Sequence, residues 1–124
     1  MKFMMIVKHK EGQGAPPKEL MDAIAKSGEA AAKSGAMLGS GGLCSTAKAA
    51  RVRLSNGHIT VIDGPFAEAK EIIGGYAQFE LKSREEAVRS AVEFMELHKK
   101  YWPSWEGETE VREMMAPDSW DPKR

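Results

Sequence analysis

The segment Asp63-Gly64-Pro65-Phe66-Ala67-Glu68-Ala69-Lys70-Glu71-Ile72-Ile73-Gly74-Gly75-Tyr76 constrains the fold more than any other part of the chain. Pro65 fixes its own φ and drives Gly64 toward extended conformations, so the chain must corner stiffly here. Before the corner, Ala50/Val52/Leu54 and Ile59/Val61 alternate around Ser55-Asn56-Gly57-His58. Asn-Gly between alternating apolar residues predicts a tight hairpin. After it, Ala77/Phe79/Leu81 alternate against Tyr76/Gln78/Glu80, predicting a strand over about residues 72–82. The corner thus joins a hairpin to a long strand. Its clustered charge and glycine pair mark it either as a site or as a structurally demanding turn.

The remaining elements follow from the same periodicities. Residues 2–9 alternate two apolar sets, Phe3/Met5/Val7 and Met4/Ile6, which predicts a strand with both faces covered. Pro16-Pro17 opens a helix, whose stripe of Leu20, Met21, Ile24, Ala25, Gly28, Ala31 and Ala32 ends at Gly35. The stripe shrinks toward Gly and Ala, so the second half of that helix should approach its sheet closely. Met37-Leu38-Gly39 predicts a short strand leading into a flexible Ser40-Gly41-Gly42 segment. Ser83-Arg84-Glu85-Glu86 is a capping box that starts a second helix. Its buried stripe is Ala87, Ala91, Phe94, Met95, His98 and Trp102, and Pro103 stops it. Residues 109–115 form a final strand. We assign residues 1–116 to one domain and residues 117–124 to a polar tail, where Trp120 suggests docking onto another surface, a second subunit being one option.

Composition narrows the class. A chain of 124 residues is long enough for one core and too short for two. Lys+Arg 18 balance Asp+Glu 18, and the charges are interspersed, which argues against a nucleic-acid surface. No apolar run is long enough to span a membrane, and the basic-then-apolar start is too short for a signal peptide. The single Cys44 excludes an intrachain disulfide and fits a reducing cytoplasm.

Strand, helix, strand, hairpin, strand, helix, strand is a ferredoxin-like α+β order with an inserted hairpin. Two helices cover one sheet face only, yet the first strand is apolar on both. Burying a Met or Ile on the second face contributes roughly 1.5–3 kcal/mol per side chain. A second copy, sheet against sheet, is the simplest cover, so we expect a homodimer.

The run Asp63-Gly64-Pro65-Phe66-Ala67-Glu68-Ala69-Lys70-Glu71 followed by Gly74-Gly75-Tyr76 resembles the signature of the DGPF group of YCII-related proteins. The order of elements and the Met1-Lys2-Phe3-Met4-Met5 opening are similar too, so the resemblance covers nearly the whole chain. It implies a dimeric α+β barrel, in which two ferredoxin-like sheets enclose a pocket, and it implies little about activity, because most members have no assigned reaction. Some members lie beside or are fused to extracytoplasmic-function sigma factors, which implies a regulatory or stress context. Other YCII-related proteins are credited with a His–Asp pair whose histidine lies on the first helix. Residues 17–35 contain no histidine here, so Asp63 carries over as the motif's acid without that partner.

Asp63 is the leading candidate for catalysis, as a general acid or base at the pocket mouth. The alternative is a carboxylate capping the backbone of its own turn. Glu68 and Lys70 would bind a polar substrate or orient Asp63, or else form a solvated ion pair. Phe66 and Tyr76 would line the pocket, Tyr76 with a hydrogen bond to give or simply as a core ring with a wet tip. His9 ends the first strand on the Phe3/Met5/Val7 face, where it would serve as a second catalytic group or only terminate a strand. His98 reads as a satisfied core histidine, His58 as exposed, and Cys44 as a small buried side chain. The three histidines lack metal-ligand spacing, and no nucleotide motif is present, so no cofactor is expected. Trp102 and Trp105 would line the subunit interface or close the pocket. Two functions fit these residues. One is a cofactor-independent enzyme acting on a small, partly apolar molecule. The other is a non-catalytic regulatory or structural dimer whose corner segment is a rigid interface turn.

Overall fold

A computed structural model describes residues 1–117; Trp120 and the rest of the polar tail lie outside the described residues. Among the described residues, six strands and two helices occur in the order β1 (Lys2–His9), α1 (Lys18–Lys33), β2 (Met37–Gly42), β3 (Ala50–Ser55), β4 (His58–Asp63), β5 (Ile72–Glu80), α2 (Arg84–Tyr101) and β6 (Gly107–Glu113). A 3-10 turn at Thr46–Lys48 precedes the hairpin. The main sheet is antiparallel in the order β2-β5-β1-β6, and β3-β4 form a separate two-stranded sheet. This α+β arrangement is compatible with the ferredoxin-like order expected above. No helix among the described residues is long and apolar enough to cross a membrane.

The alternation in β1 decides which face is core. Phe3 and Met5 pack with Leu81, Ala87 and Ala91, while Ala77, Phe79 and Val111 lean on the same cluster. The helices therefore sit on the Phe3/Met5/Val7/His9 face. Met4 and Ile6 lie on the other face, half-buried, and beside them Lys8 pairs with Glu110. Within the chain the apolar second face is thus only partly covered.

Local signals hold at most boundaries. Asn56 and Gly57 both take positive φ, 51° and 78°, as the tightest hairpin turn requires. Ser83 Oγ accepts from Glu86 N at 3.1 Å, and the Glu86 carboxylate accepts from Lys82 N, one residue before the expected position. Ala87, Ala91 and His98 are the buried residues of α2, as its stripe predicts.

Three expectations change. Ser40, Gly41 and Gly42 are not a flexible linker but the second half of β2, paired with β5. Their small size is what permits the pairing: a Cβ on Gly41 would come within 3.1 Å of the Tyr76 ring, and one on Gly75 within 3.1 Å of Gly41 O. Helix α1 closes onto its sheet only in part: Gly28 lies against the Met37 side chain of β2, but Met21, Ala25 and Ala32 remain exposed and Leu20 alone is buried. Cys44 is exposed, beside the exposed Leu43.

Candidate functional site

The loose seating of α1 leaves a cleft of about 780 Å3 between the helices and the inner sheet face. That volume suits a small ligand. Its floor is β1 and β5, including Met5, Val7 and Ala77, and its roof is α1 with Leu20, Ile24 and Gly28. The far end is aromatic and is made by the turn after α2, where Trp102 and Trp105 lie 6.1 Å apart in a stacked arrangement. Pro103 stops α2 and returns the chain sharply enough to fold Trp105 back beneath it.

Two imidazoles meet at that end. The centroid of His98 is 4.4 Å from that of Trp105, and the centroid of His9 is 6.0 Å from it. Both histidines and Trp105 line the cleft. His98 Nδ1 faces Phe94 O at 3.0 Å, and His9 Nδ1 faces Lys10 O at 2.9 Å. A carbonyl only accepts, so each Nδ1 carries the proton and donates it. In the neutral ring, each Nε2 is then left as an acceptor. Burial holds the His98 imidazolium pKa below its ordinary value, only partly opposed by the Phe94 carbonyl, so this ring is neutral at pH 7.

A third polar group completes the set. Thr109 lines the cleft opposite Val7, and its Oγ1 is the one buried side-chain polar atom without a hydrogen-bond partner among the described residues. An unpaired buried hydroxyl is costly unless something fills its hydrogen bond. His9 owes its seat to a missing side chain. Gly74 lies at the register shift where β5 passes Val7 and Lys8, and a Cβ there would fall 2.2 Å from His9 Nε2.

The corner segment sits elsewhere. Asp63 ends β4 opposite Ala50, is exposed, and does not line the cleft. Its carboxylate makes no hydrogen bond among the described residues, so the turn-capping alternative is not seen either. The corner is held from outside instead. Gly64 N donates to Ala49 O at 2.8 Å, and Phe66 N faces Thr46 Oγ1 at 3.4 Å. Phe66 is buried, with the Arg51 guanidinium 3.8 Å above its ring. Glu68 pairs with Arg51 at 2.8 Å and not with Lys70, which is exposed. Tyr76 borders the cleft, but its register with Ile6 puts its side chain on the open sheet face. Of the six residues singled out from sequence, the structure places His9 and Tyr76 at the cleft. It places Asp63, Phe66, Glu68 and Lys70 around the hairpin base.

A carboxylate links the two regions. Glu11, two residues beyond His9, accepts from Thr46 N at 2.8 Å, from Thr46 Oγ1 at 2.6 Å and from Ser45 Oγ at 3.2 Å. The Thr46 side-chain hydrogen bond, followed by its amide, lowers the Glu11 pKa from 4.5. A carboxylate depressed in the folded state adds stability above its unfolded pKa and loses it as pH falls through the folded value. Wild type should therefore lose stability below about pH 4.5 more steeply than Glu11→Gln. Urea midpoints measured from pH 7 to pH 3 check this; parallel curves would contradict it.

Residue-level reading missed Thr109 as a site residue and the second aspect of His98. The core role of His98 holds, since it is buried and hydrogen-bonded, yet the same ring walls the cleft. The alternation of Gly107, Thr109 and Val111 on the inner face was the available signal for Thr109.

The architecture defines a class: an antiparallel α+β domain with a helix-roofed cleft on one sheet face. A protein-family comparison matches residues 1–94 to the YCII-related domain. The chain belongs to the YCII-related family. Comparison with curated proteins gives no match.

Proposed function

We propose that this protein is a small-molecule binder of the DGPF type within its family, and that the cleft is where its ligand sits. The observation that carries the reading is the coincidence of an apolar, aromatic-walled cleft with the polar side chains of His9, His98 and Thr109 at one end. His9 Nε2 and His98 Nε2 accept, and Thr109 Oγ1 is unpaired. Such an end recognises a ligand carrying a hydrogen-bond donor, and Trp105 offers a face for a ring. If the ligand is turned over, His9 Nε2 is the group placed to take its proton. Asp63 has no place in that step within one subunit, because its carboxylate stands on the hairpin. A homodimer joined across the Met4/Ile6 face remains part of the proposal, supported by the partly covered apolar side chains there.

The test holds the ring constant and varies its polar end. Titrating 4-ethylphenol should shift the amides of Gly74, Gly75 and Thr109 and the ring protons of His98, and 4-ethylanisole should bind roughly fivefold more weakly. Equal affinity for the two would remove the donor-recognition reading. Shifts confined to the hairpin would remove the cleft as the site.

A further inference from the structure

The hairpin has an apolar face that its own subunit leaves bare. Its register pairs Val52 with Val61 and Leu54 with Ile59, so four aliphatic side chains share one side of the ribbon. Val52, Leu54 and Ile59 are each 71% exposed and Val61 is 68% exposed. The opposite side carries Arg51, Arg53 and Thr60, with one aliphatic residue, Ile62, opposite Arg51 at the base. Near its base, that side leans on the corner through the Arg51 contacts with Phe66 and Glu68. The hairpin is therefore tethered by its polar side and turns its greasy side outward. Four such side chains form a patch of roughly 400 Å2, the size at which exposed apolar surface marks an interaction site. A two-stranded ribbon is marginal in water by itself. A cover over that face would add to its stability.

We infer that the β3–β4 hairpin is an intersubunit arm, whose Val52/Leu54/Ile59/Val61 face lies on a second copy of this chain and carries Asp63 to the seam between them. Area is the first reason for a second copy. A twofold dimer uses both arms, and two patches plus the surfaces they cover total roughly 1,600 Å2, a standard stable interface. Charge is the second. The apolar face has no basic group for a phosphate or an anionic headgroup, and a formal net charge of zero lets identical chains approach without repulsion. Asp63 follows from the register: it pairs with Ala50, on the same side as Val52 and Val61, at the foot of the arm. Covering that side turns an exposed carboxylate into an intersubunit one. This goes beyond the cleft reading and does not depend on it.

Sedimentation equilibrium tests the arm directly. Wild type should be dimeric at micromolar concentration. Leu54→Ser/Ile59→Ser should dissociate roughly a hundredfold more readily. Its far-ultraviolet circular dichroism, which reports the helices and the main sheet, should not change. Monomeric wild type, or a double variant that dimerises as tightly, overturns the inference. A second measurement leaves the apolar face intact. In a Cys44→Ser background, the thiols of Val61→Cys and Asp63→Cys should react with a maleimide more slowly as protein concentration rises. A rate independent of concentration at Val61 overturns the arm, and one at Asp63 alone overturns its place at the seam.

Discussion

Replacing Gly64 by alanine should cost about 3 kcal/mol of folding stability and lower the thermal midpoint by roughly 10 °C. A Cβ built on Gly64 falls 1.7 Å from Thr46 O, 2.8 Å from Thr46 C and 3.2 Å from Ala49 O. All three obstacles are backbone, so no side chain can swing aside. Nor can that backbone retreat cheaply. Ala49 N donates to Thr46 O, Gly64 N donates to Ala49 O, and Glu11 grips Thr46 through both its amide and its hydroxyl. The cost is steric, because Gly64 does not occupy the left-handed region. Gly57→Ala provides the contrast. Its φ is 78° with nothing within 4 Å, so it should lose only about 1 kcal/mol, from backbone strain. Chemical denaturation of both variants decides the matter. A Gly64→Ala midpoint at or above that of Gly57→Ala would show that the corner is not packed as described.

Gly74→Ala should act on binding more than on stability. Here the obstructing atoms are Nε2 and Cδ2 of His9, at 2.2 and 2.5 Å from the built Cβ. They are the far end of a side chain, so the imidazole leaves its seat and the strand survives. The ligand then loses one acceptor at the polar end, and 4-ethylphenol affinity should fall roughly fivefold while the unfolding midpoint moves little. A double-mutant cycle separates the two sources of loss. In Gly74→Ala/His9→Ala the clash is gone, so any lost stability should return, whereas affinity should not. Recovery of affinity in the double variant would mean that His9 obstructs the cleft and does not serve it.

These two glycines show what kind of information a sequence carries and what kind it lacks. Asn56-Gly57 announces its role through local chemistry, since both residues must tolerate positive φ in a two-residue turn. Gly64 and Gly74 are needed because distant segments come close, Thr46 to one and His9 to the other. No local pattern encodes that approach. Gly41 and Gly42 read locally as a flexible segment for the same reason: glycine suggests flexibility until a neighbouring ring occupies the space of the missing side chain. His9 was legible because strand parity placed it on the core side of β1. Parity also foretold that Tyr76 faces opposite to Ala77 and Phe79, and this sets its ring apart from His9. Asp63 was singled out by its motif, and a motif shows where chain geometry is demanding without saying toward which cavity a carboxylate turns.

By itself the order of residues determined the elements, the hairpin, the inner face of each strand and the α+β class, because periodicity, caps and turn residues act over a few neighbours. Tertiary structure alone decided that α1 packs only loosely on its sheet, that Trp105 folds back between two histidines, and that the hairpin turns four aliphatic side chains to solvent. Those outcomes depend on segments far apart in the chain meeting at van der Waals distance, and pairwise contact of that kind leaves no trace in local spacing.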